Sequence, residues 1–369
     1  ETFVSETQRY VDLHRPDGTP DILQYIEHGV LNLVAQAEQI GHMASTLSNS
    51  VLDNYHHLGD AASITDGLHY DPSLKPYEVS ADGKRSGTPD DMWAFTTRNP
   101  RLDMRAATMF AAAAHALEGH NDSLAARALK QSKRLMKEAE ELLSQRTESK
   151  RNNARTGLGG IAATNLQLYI ATQEKEYLDV FEKEIWKELD RNLRFSLQTA
   201  LDAIPYMNED YRKQLRPYVE QYATYIQDFD RQNPYGVPIG TGNWAGIGPL
   251  LSFGTTVCFA HLYYPDIVAK DEVYRTANWL FGCHPYHNYS FVAAVGAARP
   301  KLVFYGNNRA DFSFIPGNVA PGVLFRKPDH FENFDDWPFL WGQNEGTIAG
   351  NTQYIIFGLA FKHIVEEKK

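Results

Sequence analysis

Apolar residues return every three or four positions through most of this chain, and that period constrains the fold more than any other feature. Pro20 and Asp21 open one such run; proline is tolerated at a first helical turn because the N–H it lacks has no partner there. Behind them Ile22, Leu23, Ile26, Val30, Leu33, Val34, Ala37 and Ile40 share one face at helical spacing. A second run, about 103–118, carries Ala111 to Ala114, a composition suited to close helix packing. A third, about 121–144, sets Leu124, Ala128, Leu135, Ala139 and Leu142 against a charged opposite face. The period predicts further helices at about 159–172, 175–203, 208–230, 246–263, 270–281 and 345–364.

Between these runs lie three long stretches rich in Gly, Pro, Asp and aromatic residues: 45–100, 231–245 and 284–344. Strand signals are short, around Ser290–Val295 and Lys301–Tyr305. Roughly nine helices with no alternation of strand and helix point to an all-α fold. Long loops in a compact domain are uncommon unless they carry function, so these are expected to gather at one end of a helical barrel and form a cleft. With no short repeat, low-complexity tract or linker, residues 1–369 read as one domain.

Composition narrows the function. Aromatic residues make up 12% of the chain, more than a plain helical scaffold needs, so they either line a sugar cleft or fill a large core. A net charge of −10 leaves no basic stripe to neutralise phosphates, which argues against nucleic acid. No run of 18 apolar residues occurs, so no membrane span is expected. Cys258 and Cys283 are too few for a disulfide scaffold or a cysteine-based zinc site. Cys258 falls in an apolar helical stretch, where a buried free thiol is expected. The clustering of His56, His57, Asp60 and Asp66 fits no standard zinc spacing and reads as a polar loop at a cleft rim.

Three blocks carry a resemblance to a known family. The first is Gly18-Thr-Pro-Asp-Ile-Leu23, and the second runs from Asp90-Asp-Met-Trp-Ala-Phe95 through Asp103 into the alanine-rich helix. The third comprises Leu280-Phe-Gly-Cys-His-Pro285, Ser290-Phe-Val292, Gly296, Asn307-Asn-Arg309, and Asp336 through Asn344-Glu345 to Asn351. In order and spacing they resemble the G-x-P-D-x-L, L-G-x-N-P, S-[YF]-V and D-x7-N-E patterns of glycoside hydrolase family 9, and the loop wording is similar to a polysaccharide-utilisation branch of gut bacteria.

The resemblance implies an (α/α)6 barrel of twelve helices that hydrolyses β-1,4-linked glucan with inversion of the anomeric centre. Such chemistry needs a protonated carboxyl group and a carboxylate base on opposite faces of the bond, roughly 6.5–9.5 Å apart. Glu345 takes the place of the general acid, behind the apolar Trp337, Phe339, Leu340 and Trp341. Arg309 and Asn308 fall on the sugar-binding loop. His284 reads either as a structural histidine or as a partner for sugar hydroxyls, and Asp336 either orients Arg309 or caps its loop. Trp93, Trp244, Trp337 and Trp341 are candidates for stacking against sugar rings or for the core. Asn307 and Asn308 stand where the family carries histidines, Pro338 replaces an arginine and Trp341 a tyrosine, which leaves the polymer and the endo or exo mode open.

The family's base lies in a D-A-G-D motif upstream of the G-x-P-D helix, and nothing like it precedes Gly18. The first barrel helix and base loop are therefore expected to be missing from this sequence, with a fragment of the same precursor as a candidate partner. No cofactor is implied for the reaction. A structural calcium ion is compatible with the family, its ligands unassigned. The implied location is secreted or periplasmic. Two alternatives stay open: an exo-acting β-glucosidase or glucosaminidase of the same family, and an inactive carbohydrate-binding remnant.

Overall fold

In the computed structural model the described residues are 18–49, 66–89, 92–145, 160–239, 246–283, 290–293, 295–296, 317–321, 325–326, 331–332 and 347–366. Among them are nine α-helices: α1 (Asp21–Ile40), α2 (Pro100–Leu117), α3 (Asp122–Ser144), α4 (Ile161–Thr172), α5 (Lys175–Asp202), α6 (Glu209–Gln232), α7 (Ile247–Tyr263), α8 (Lys270–Leu280) and α9 (Ile348–Glu366). Each matches a run of the helical period. α2 starts earlier than its alanine-rich period because Pro100 takes the first turn and the Asn99 side chain accepts from Arg101 N, capping the helix.

α9 starts later than expected. Thr347 occupies its N-cap, its Oγ1 accepting from Gly350 N at 3.0 Å and its carbonyl from Asn351 N at 3.0 Å. Glu345 therefore precedes the helix in sequence and does not open it.

Among the described residues three two-stranded ribbons interrupt the helices. β1 (Leu47–Asn49) pairs antiparallel with β4 (Met92–Ala94), β2 (His69–Tyr70) parallel with β3 (Arg85–Ser86), and β5 (Phe325–Arg326) antiparallel with β6 (Phe331–Glu332). None of these follows from the sequence pattern. Of the strand expected at Ser290–Val295, the described residues show one bridge, Val292 to Val319, and Lys301–Tyr305 lies outside them.

The chain divides into two compact units, residues 1–56 with 60–199, and residues 57–59 with 200–369. In the first, α2 packs on α1, α3 and α4. Ala106, Ala107, Ala113 and Ala114 are buried against Val30, Val34, Ala37, Leu124, Ala128 and Leu135, with Phe110 filling the space the small residues leave. Methyl-sized side chains let the backbones approach, so Ser132 Oγ on α3 reaches the Ala107 carbonyl at 2.6 Å. Asp103, fully buried, accepts from Met43 N and from Arg98 Nε, both at 2.9 Å. Arg98 also donates to Glu138, which Arg134 joins, and Arg134 donates to the Ala37 and Gly41 carbonyls at the end of α1. Burial pushes the Glu138 carboxyl up, and the two guanidinium groups more than offset it, holding it below the ordinary carboxylate range.

In the second unit α7 packs on α8 and α9. Tyr222, Tyr225 and Phe229 of α6 meet Phe253 of α7, mostly edge to face. Part of the aromatic content is therefore core. Cys258 is buried here as a free thiol, and desolvation pushes its pKa to about 12. Among the described residues no helix is long and apolar enough to cross a membrane.

Candidate active site

The described residues nearest in sequence to the expected site form a backbone brace within the second unit. Phe291 N donates to the carbonyl of Leu280 at the end of α8, at 2.9 Å. Ala293 N donates to Asn318 O at 2.9 Å, Gly317 N to Ala293 O at 2.7 Å and Ala320 N to Phe291 O at 2.8 Å. From there Ile247 N, at the start of α7, donates to Pro321 O at 3.0 Å. Asn351, in the first turns of α9, closes the arrangement: its Oδ1 accepts from Val319 N at 2.8 Å and its Nδ2 donates to Asn318 Oδ1 at 3.0 Å. Segments 290–293 and 317–321 thus tie together the start of α7, the end of α8 and the start of α9.

Local chemistry explains why these residues adopt that path. The Ser290 hydroxyl accepts from Val292 N at 3.0 Å, a turn that fixes the chain just beyond α8. Gly296 has φ +92°, and a Cβ there would lie 2.7 Å from the Phe281 carbonyl oxygen and 2.9 Å from Ser290 Oγ. Only glycine fits. Phe291, Val292, Ala293, Val319 and Ala320 are buried, so the brace closes over apolar side chains as well as hydrogen bonds.

The expected site residues fall on segments that enter or leave this brace. His284 follows Cys283 on 284–289, Asn308 and Arg309 lie on 297–316, and Asp336, Trp341 and Glu345 lie on 333–346, which ends at the α9 cap. All six lie outside the described residues. So does Trp244, on 240–245, between the turn at 233–237 and α7; Asn233 holds that turn, donating from Nδ2 to Val237 O and accepting from Tyr235 N. Trp93 is placed by its backbone alone, opposite Ser48 in the β1–β4 ribbon.

Of the polar cluster at 56–66, only Asp66 is described. It accepts from Ser86 Oγ at 2.5 Å and Leu68 N at 2.8 Å, and the Ser86 bond, then the Leu68 bond, hold its carboxyl below the ordinary range. Its work is to brace a loop. Among the described residues no group of three or more His, Cys, Asp or Glu side chains could hold a metal ion.

Sequence reasoning missed Asn318 and Thr347. Thr347 could have been found, since a threonine directly before an apolar run is an N-cap signal. Asn318 could not, because its partner is 33 residues away.

The described residues are predominantly helical, which defines an all-α protein, and the comparisons carry the assignment further. Its structure is similar to a metagenome-derived glycoside hydrolase family 9 endoglucanase, at 18% identity and a TM-score of 0.62 over 95% of this chain and 62% of that one. It is similar to a family 9 glycoside hydrolase of Bacteroides ovatus at 16% identity and 0.63, over 94% and 63%. An endoglucanase of the termite Nasutitermes takasagoensis is similar at 15% and 0.53, over 76% and 70%. At these identities the likeness shows the fold. Residues 59–357 match the sequence family described as Glycosyl hydrolase family 9, and the chain belongs to that family. It spans 62% and 63% of the length of the first two structures. No curated protein matches it significantly.

Proposed function

We propose that this protein hydrolyses β-1,4-glucosidic bonds in a β-glucan, of cellulose, mixed-linkage or xyloglucan type, with inversion and with Glu345 as general acid. The observation that carries the reading is the family match across 59–357, which spans both units and includes Arg309, Asp336 and Glu345. The endoglucanase descriptions of the structural neighbours support the substrate class.

Glu345 would donate its proton to the leaving glycosidic oxygen while a carboxylate base activates a water on the opposite face of the sugar. The base is left unassigned; the resemblance puts it upstream of Gly18. Arg309, Asn308, His284 and Asp336 would bond sugar hydroxyls or orient one another, and Trp93, Trp244 and Trp341 would stack on pyranose faces. The brace supports this reading physically, because segments 284–289 and 297–316 leave from and return to its neighbourhood and segment 333–346 ends at the α9 cap. Both units would act as one catalytic domain, outside the cytoplasm. The reaction uses no cofactor. A calcium ion, if bound, would have a structural role only.

Glu345→Gln is the test. Loss of general acid catalysis is expected to lower the rate on a polymeric β-glucan by about 10²–10⁴-fold, with binding of the polymer retained. Aryl glucosides with good leaving groups should suffer less. Retention of more than half the wild-type rate on polymer would overturn the assignment.

A further inference from the structure

Loop 66–88 holds one residue that neither packing nor backbone preference explains. Glu78 N donates to Lys75 O at 2.9 Å, closing a four-residue turn with Pro76 second and Tyr77 third. Tyr77 has φ +67°, the sign that the third position of a type II turn requires and that glycine or asparagine normally supplies. A bulky aromatic residue in this region is strained. Nor does burial compensate, because Tyr77 is 84% exposed. A strained, uncovered ring is a cost that folding alone gives no reason to carry.

The turn beneath it is rigidly held. Glu78 Oε2 accepts from Lys75 N at 3.0 Å, and Glu78 O accepts from Gly87 N at 2.9 Å. Gly87 lies so close that a Cβ on it would overlap the Lys75 carbonyl. Further along, Ser80 N donates to Arg85 O at 2.8 Å, Asp82 accepts from Ser80 Oγ at 2.6 Å, and Asp71 accepts from Ser73 N at 3.0 Å and Arg85 Nη1 at 3.1 Å. The hydroxyl bonds from Ser73 and Ser80 lead in holding the Asp71 and Asp82 carboxyls below the ordinary range, so the bracing persists across neutral pH. A ring presented on such a platform loses little freedom when a ligand covers it.

We propose that Tyr77 is a carbohydrate-stacking platform for the β-glucan chain, a site that no motif in the sequence marks. The inference rests on the β-glucan reading above. A pyranose offers one apolar face edged by hydroxyls, and the turn offers one aromatic face beside the exposed Lys75 and Glu78 side chains. A protein partner asks for a broader apolar patch, and on this loop only Val79 joins Tyr77 among exposed large apolar residues.

The experiment compares Tyr77→Gly and Tyr77→Phe with wild type, using affinity electrophoresis in gels containing soluble mixed-linkage β-glucan, with melting curves in parallel. Tyr77→Gly is expected to weaken retention roughly three- to tenfold, the change lost with one aromatic contact, while melting no lower than wild type because glycine relieves the strain. Tyr77→Phe should keep the retention. Unchanged retention in Tyr77→Gly overturns the proposal, as does a melting temperature well below wild type, which would make the ring structural. If wild type itself is not retarded by β-glucan, the substrate reading above has failed and this site falls with it.

Discussion

Around α2 the chain is held by apolar burial: alanine faces, Phe110 in the gap, and helices packed along their length. Around Asn351 it is held by single backbone hydrogen bonds between short extended segments, one glycine that tolerates no side chain, and one amide that bonds two partners. The first arrangement spreads its stabilisation over many small contacts, each replaceable. The second concentrates it in a few groups with defined directions, which suits the site proposed for the neighbouring segments.

Breaking each region should therefore give different signatures. Phe110→Ala removes a fully buried ring from the helical core, and a loss of about 3–5 kcal/mol is expected in denaturant unfolding. Its effect on polymer hydrolysis should be confined to the unfolded fraction. If the variant is fully folded yet inactive, the division of labour drawn here is wrong. Asn351→Ala leaves Val319 N and Asn318 Oδ1 without their partner and should cost less, about 1–3 kcal/mol. Its turnover on β-glucan should nevertheless fall further than that of Phe110→Ala, because the segment bearing Glu345 ends at the same helix start. Steady-state rates on the folded fraction of both variants decide the point; equal losses would remove the special status of the brace.

The smallest effect sharpens the view of the core. Burial, and then the nearby Glu184 charge, raise the Glu140 carboxyl pKa above its ordinary 4.5. A carboxyl raised on folding favours the folded state when protonated and costs stability when it must be charged. Glu140→Gln is therefore expected to raise the melting temperature slightly at neutral pH. The gain should shrink as pH falls through the raised value and vanish below the ordinary one. A gain independent of pH would show that charge is not its cause.

Thiol chemistry offers an independent check on burial in the second unit. Cys283 is exposed, while Cys258 is buried with its pKa at about 12. One thiol per chain should react with a thiol reagent near pH 8 under native conditions, and the second only on unfolding. Two fast native reactions would mean the α7 core opens readily.

Helix position was legible because a helix repeats its demand for apolar residues every turn, so each run from Ile22 to the C-terminal helix announces itself locally. The family was legible for another reason: its motifs recur in order along the chain, and two of their residues, Gly296 and Asn351, are held by close contacts that a different side chain would break. What the sequence alone could not decide was anything made by pairing distant segments through the backbone. Any residue can donate its N–H or offer its carbonyl, so the links from Phe291 to Leu280, Ala293 to Asn318 and Ile247 to Pro321 leave no side-chain signature. Nor does a sequence reveal that Tyr77 stands uncovered at positive φ, because exposure and turn geometry belong to the folded loop and the same tyrosine in a helix would read as core.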